Sequence, residues 1–188
     1  MIINNDTIIK DNDPIIRTKS LPVQFPLSKE DEQLMIDMYN YVKESTDPEL
    51  AEKKNLRPAV GISAIQVGIP KQMTAIICSD IDKYDNEVTY EYCLVNPKIV
   101  SSSIEQSYLK SGEGCLSVEA EHEGYIYRSA RIKVKAYDYL TKKEVTIRAH
   151  GYLAIVLQHE IDHFSGTLFY DHINSEDPFI KLDNAIEI

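Results

Sequence analysis

The chain is short of cysteine, short of cations, and has no long apolar run. Three cysteines, Cys78, Cys93 and Cys115, occur in 188 residues. An odd number without a secretion signal is not a disulfide framework and points to a reducing cytosol. Lys and Arg number 20 against 30 Asp and Glu, a formal charge of −10. That argues against tight, non-specific binding of a phosphate backbone, which rests on a surplus of cations. It leaves room for docking through a local basic patch, but no direct nucleic-acid partner is expected, and the acidity reads mainly as solubility. No segment reaches the ~20 apolar residues of a membrane span, so no membrane association is expected. The N-terminal "MIINNDTIIKDNDP" is polar and interrupted by acids, unlike the basic-then-apolar order of a signal peptide. A cytoplasmic protein is the resulting expectation. Repeats and low-complexity segments are also missing.

What is present reads as one domain spanning 1–188, with an extended arm over 1–25 and a short tail over 174–188. Ser28 is placed to cap a helix through "KEDEQLMIDMYNYVKES", with Leu34, Met35, Met38, Tyr41 and Val42 as its apolar stripe. "DPELAEKKNLRP" (47–58) reads as a polar connector, and "AVGISAIQVGIP" (59–70) as a turn with a short helical piece. Strands are expected over 73–79, 88–97, 98–110, 131–139 and 144–150, where β-branched and aromatic residues gather or alternate with charges. Cys78 and Cys93 fall in such runs and read as small core residues. "GYLAIVLQHEIDHFSG" (151–166) reads as a helix closed by Gly166 and, being apolar nearly all round at its start, as a buried one. Strands followed by one buried helix imply an α+β fold, with antiparallel sheets packed around a central helix.

That helix carries His159-Glu160-x-x-His163. Residues four apart share a helical face, so both imidazoles can bind one divalent ion while Glu160 reaches a water as general base. The bland alternative is two satisfied core histidines beside a surface acid. Asp162 is either an orienting partner for a ligand or plain surface charge. A catalytic site needs a third protein ligand and one open position. The H-x-x-G-x-x-H solution fails, because Phe169 stands where the third histidine belongs. A downstream acid, Glu176 or Glu187, would make a zinc endopeptidase. The remaining donor is Cys115, in "SGEGCLSVE", whose thiolate suits zinc or ferrous iron.

Three segments, "AVGISAIQ" (59–66), "EGCLS" (113–117) and "QHEIDH" (158–163), together resemble the three signature motifs of the peptide deformylases. Their order matches, with 49 positions from Gln66 to Cys115 and 44 from Cys115 to His159. "LVNPKIV", "YRSARIKVKAYD" and "GTLFYDHI" extend the resemblance over roughly residues 30–173. The long first interval resembles the class found in Gram-positive bacteria and their wall-less relatives. The first motif departs from the usual G-x-G-x-A-A-x-Q: Ala59 replaces a glycine and Ser63 an alanine. Phe164 stands where leucine is usual.

The resemblance implies a metal-dependent hydrolase that removes the N-formyl group from the initiator methionine of nascent polypeptides and releases formate. It implies Cys115, His159 and His163 as metal ligands, Glu160 as general base, and the Gln66 amide with the Leu116 N–H as oxyanion donors. Ferrous iron is implied as the native ion, with nickel, cobalt or zinc as substitutes. The Gly61 carbonyl would receive the substrate backbone, and Ile62, Tyr125, Leu153 and Val156 join Gly61 as the expected substrate pocket. Glu113 and Arg128 would pair to brace the metal loop. Transient proximity to the ribosome follows from the nascent substrate. Two other readings stand beside this one: the zinc endopeptidase, and a non-catalytic binding protein, for which the altered first motif speaks.

Overall fold

A computed structural model describes residues 1–81, 84 and 86–188. The capping signal of the first helix is realised: the Ser28 side chain accepts the Asp31 N–H at 3.1 Å, and α1 runs Lys29–Ser45 with its apolar stripe buried. The 47–58 segment is not a plain connector. It folds into a short helix, α2 (Pro48–Lys54). Asp47 caps two N–H groups, Pro48 starts the turn, and Asn55 closes it in the left-handed region at φ 54°. None of its residues is buried, which is why no apolar stripe announces it.

The strands are β1 (Gly61–Ser63), β2 (Met73–Ile81), β3 (Glu87–Ser102), β4 (Gln106–Tyr108), β5 (Arg128–Ser129), β6 (Arg131–Asp138), β7 (Lys143–His150) and β8 (Ile186–Glu187). The expected separate strands 88–97 and 98–110 are instead the long β3, then the short β4. Pro97 does not end β3, because the register shifts between Val95 and Lys98, where Asn96 takes φ 52°. A bulge is where a residue without an N–H can sit inside a ladder.

Five strands form an antiparallel sheet in the order β1-β2-β3-β6-β7. A second sheet, β5-β4-β8, brings the C-terminal residues alongside β4 as a parallel neighbour. The large sheet is packed on both faces. α1 lies on one, against Met73, Ala75, Cys93 and Val95. The central helix α3 (Gly151–Asp162) lies on the other, with Ile76, Leu94, Val134, Ile147 and Leu157 between them. Cys78 and Cys93 are buried core thiols, each pushed up to about 12 by burial.

Helix α3 passes at Asp162 into a tighter 3-10 turn, His163–Ser165, closed by Gly166 at φ 73°. His163 keeps helical dihedrals (φ −55°, ψ −28°), so the face shared with His159 survives the change. Gly166 also lies directly beneath the backbone of Arg17, which leaves no room for a side chain. Through this contact the N-terminal segment packs on the molecule: Ile16 is fully buried with Cys115, Leu168 and Phe169, and Arg17 pairs with Asp171. Among the described residues, no helix is long and apolar enough to cross a membrane.

Candidate metal centre

Cys115, His159 and His163 converge: one donor atom from each lies within 4.8 Å of the others. The Cys115 Sγ to His163 Nε2 distance is 3.5 Å. Zinc–sulfur and zinc–nitrogen bonds of tetrahedral sites place such donors about 3.5 Å apart around a shared ion. The donor set therefore fits a divalent metal. Among the described residues it is the one His/Cys/Asp/Glu group that could hold an ion. Glu176, exposed in a turn, and Glu187, bonded to the Tyr108 hydroxyl, do not belong to it. The endopeptidase reading thus lacks its third ligand.

Charged groups hold the ligands in place. The His159 Nδ1 meets Glu113 Oε2 at 2.8 Å, which turns the other ring nitrogen toward the donor group. Glu113 takes a two-pronged contact from Arg128, Nε at 2.6 Å and Nη2 at 2.9 Å. Arg128 Nη1 reaches Asp162 at 2.8 Å, and Asp162 meets His172 Nε2 at 2.7 Å. Glu113 and Arg128 are both buried, so this is no surface ion pair. Burial works against the Glu113 carboxylate, yet His159 and Arg128 hold it below the usual carboxylate range. Asp162, opposed by burial, is held low by His172 and Arg128. Its link to His159 runs through Arg128 and then Glu113.

Burial also opposes ionisation of the Cys115 thiol. The imidazoles of His163 and His159 outweigh it and bring the thiol down to about 6. Cys115 is thus predisposed to the thiolate form in which cysteine binds metals.

Glu160 is buried beside this group. Its Oε2 accepts the Ser63 hydroxyl at 2.7 Å and lies 3.4 Å from the Thr74 hydroxyl. Ser63 and Thr74 face each other across the β1–β2 ladder, and the Thr74 hydroxyl donates more closely to the Ile62 carbonyl, at 3.0 Å. A Cβ at Gly61 would sit 2.5 Å from Glu160 Oε1, so glycine is required there for the carboxylate to lie where it does. Gln66 is fixed at both ends of its amide. Its Oε1 accepts the Ser63 N–H at 2.9 Å, and its Nε2 lies 3.3 Å from Cys115 Sγ and 3.2 Å from Ser117 Oγ. The Leu116 carbonyl accepts Lys10 Nζ at 3.2 Å, holding the residue after the cysteine.

A cleft of about 450 Å³ opens beside the donor group. Gly61, Gln66, Cys115, Leu116, Val156, His159 and Glu160 all line it. Three expected pocket residues lie outside its lining. Ile62 alternates away from Gly61 on β1 into the core under α1. Leu153 packs between α3 and the sheet. Tyr125 packs in an aromatic group, tilted against Tyr108 and edge-on to Tyr127 and Phe179. Val60, Leu109, Tyr152 and Ile155 supply apolar walls instead, with Arg57 at the side. The sequence reading missed these and the Ser63–Glu160 contact. The available signal was polarity: Thr74 is a lone hydroxyl in "MTAIIC", and Ser63 departs from alanine in the same direction.

The polypeptide deformylase family model matches residues 5–179. The peptide deformylase of Oceanobacillus iheyensis is 50% identical over 181 residues, 96% of each chain. Peptide deformylase 2 of Bacillus subtilis is 47% identical over 187 residues, covering 100% of this chain and 99% of its own. Both are Bacillus-type relatives, in keeping with the longer interval between the first two motifs. A crystal structure of an Acinetobacter baumannii peptide deformylase with Met-Ala-Ser bound superposes with a TM-score of 0.69 at 29% identity, covering 92% of this chain and 100% of that one. With relatives this similar along its whole length, and a family match over nearly all of it, the chain belongs to the polypeptide deformylase family.

Proposed function

We propose that Glu160, Gln66 and Leu116 perform the family's reaction on an N-formyl-methionyl peptide held in the cleft between β1 and α3. The reaction adds water across the formyl C–N bond and yields formate and a free amine. The observation that carries this reading is the convergence of Cys115, His159 and His163 on one point, with Glu160 and Gln66 lining the same cleft. A divalent ion held by these three ligands supplies an electrophilic centre and acidifies water toward neutral pH.

Glu160 takes a proton from the attacking water and returns it to the departing amine. Ser63 holds Oε2 from one side, and Gly61 leaves the space in which the carboxylate lies. The oxyanion that develops on the formyl oxygen is met by the Gln66 amide and the Leu116 N–H. Gln66 needs no reorientation, because Ser63 N–H already fixes its carbonyl end. The methionine side chain packs on Val60, Leu109, Tyr152, Ile155 and Val156, and the Gly61 carbonyl pairs with the substrate backbone. The bound Met-Ala-Ser of the Acinetobacter deformylase is a ligand of that chemistry. Ferrous iron is the native ion in this reading, with nickel, cobalt or zinc able to replace it. The substrates are nascent chains met near the ribosome in the cytoplasm.

The altered first motif does not favour a binding protein, since Ser63 supports the base rather than displacing it. The test is formate release from formyl-Met-Ala-Ser by protein prepared without oxygen, or loaded with nickel, beside the metal-stripped protein. Release by the loaded protein alone is the expected result. Absence of release with one metal bound per chain would overturn the reading.

A further inference from the structure

The large sheet has a second surface that the active site does not use. On the α1 side, the helix covers the inner strands, and the same face of β6 and β7 stands exposed or half-exposed at Arg131, Lys133, Lys135, Thr146, Arg148 and His150. The ladder fixes how these side chains meet. Lys133 is directly opposite Arg148, Lys98 opposite Lys135, and Arg131 opposite His150.

Like charges directly opposite each other weaken a strand pair. This sheet holds two such pairs side by side. Lysine on an edge strand guards against unwanted pairing. That accounts for cations on β7, which is an edge, but not for Lys133 and Lys135 on β6, which lies between β3 and β7. Nor do neighbouring acids neutralise the patch. Among the described residues Lys98, Lys133, Lys135 and Arg148 enter no ion pair, whereas Arg131 is paired with Glu105 at one end. Glu144, opposite Tyr137, marks the other end. In a chain of formal charge −10, this is a local reversal of sign.

Beside the cations, Ser101, Ser102 and Ser103 line a concavity of about 420 Å³ together with Lys133 and Arg148. Lysine, arginine and serine are the side chains that meet phosphate oxygens in nucleic-acid complexes. Two residues along a strand span about 7 Å, so the lattice offers regularly spaced cations to a regularly charged chain.

We propose that this face docks on the phosphate backbone of ribosomal RNA and holds the enzyme beside its emerging substrate. The choice of RNA rests on the function proposed above, because a nascent chain emerges from a particle with an RNA surface. The cleft lines β1 and α3, away from this face, so docking leaves it open to a peptide.

The experiment is co-sedimentation of the metal-loaded protein with purified 70S ribosomes across a salt series. It compares wild type, the quadruple variant Lys98→Gln/Lys133→Gln/Lys135→Gln/Arg148→Gln, and a control, Lys53→Gln, on exposed α2. Four phosphate contacts predict a fall in affinity of about 50- to 150-fold between about 50 mM and about 200 mM salt. The quadruple variant is expected to lose at least tenfold in ribosome affinity and most of that salt dependence, while the control loses neither. A single-stranded RNA is expected to compete with the ribosome, and phosphatidylserine vesicles are not. All three proteins are expected to deformylate soluble formyl-Met-Ala-Ser at the same rate. Should the quadruple variant misfold, Lys98→Gln/Lys135→Gln removes one opposed pair and tests the same loss. Unchanged ribosome affinity in the variants, no binding by wild type at low salt, or displacement by vesicles rather than RNA would overturn the proposal. Failure of the deformylase reading would show separately, as wild type inactive on the soluble peptide.

Discussion

The two walls of the cleft are made in different ways. One wall is α3, a single buried helix that sets His159 and Glu160 by its period and delivers His163 one turn on. The other is assembled from strand and loop: β1 with residues 57–60 before it, and the 109–116 segment between β4 and Cys115. The helical wall is tied down by ions: Glu113, Arg128, Asp162 and His172 form a continuous chain of contacts behind His159. The loop wall is apolar at Leu109 and glycine-rich at Gly112 and Gly114. His159, Glu160 and His163 sit where geometry is repeated and braced. Cys115, Leu116 and Gln66, with Leu109 among the apolar lining, come from the strand-and-loop side, and Tyr152, Ile155 and Val156 add apolar lining from the helix.

The sharpest way to test this division is at Gln66, which lies on the strand-and-loop side and reaches Cys115 there. Gln66→Ala is expected to retain one metal per chain and to lose about 10²- to 10³-fold in kcat, the effect of removing one oxyanion donor. Metal analysis and steady-state kinetics on the same preparation check it. Next is the bracing. Glu113→Gln removes the carboxylate from His159 and leaves the buried Arg128 guanidinium short of a partner. Metal affinity is expected to fall about 10- to 100-fold, read by competition with a chelator. The variant also loses thermal stability, because an uncompensated buried charge is costly.

On the loop wall the expected signature is different. Leu109→Ala should raise KM for formyl-Met peptides about tenfold, the scale for removing methylenes from an apolar pocket, with metal content unchanged. A formyl-norleucine peptide should suffer alike, which separates packing from any sulfur contact. The smallest effect is expected at Ser63→Ala. Its hydroxyl is the nearer of two to Glu160, and the Thr74 hydroxyl can turn from the Ile62 carbonyl to replace it. A few-fold loss of kcat at constant KM, restored by Ser63→Thr, would show that the hydroxyl positions the base.

The same division explains what could be read from the sequence. His159, Glu160 and His163 were legible because helical spacing maps positions onto one face. Elimination made Cys115 a candidate donor, with an inert buried thiol as the alternative, and the resemblance of "EGCLS" to a family motif made it a ligand. The pocket was not. Ile62 was assigned to it although strand alternation turns it away from Gly61, and the parity of a three-residue strand is not visible before its ladder is known. Leu153 shares the helix with Val156 but faces the sheet. Leu109 and Tyr152 reach the cleft by folds of the chain that no local period encodes. α2 was hidden for a related reason: its caps, Asp47 and Asn55, were present, but with no buried residue it has no stripe. β3 was split at Pro97, whose place in the ladder depends on a bulge.

The most direct measurement of the central claim is formate release by Glu160→Ala, loaded to one nickel ion per chain, beside wild type. Because Glu160 is the buried acid between the two ligand histidines, the account predicts an intact metal site and a fall in kcat of about 10²- to 10⁴-fold. Wild-type turnover in that variant, with its metal in place, would contradict the account.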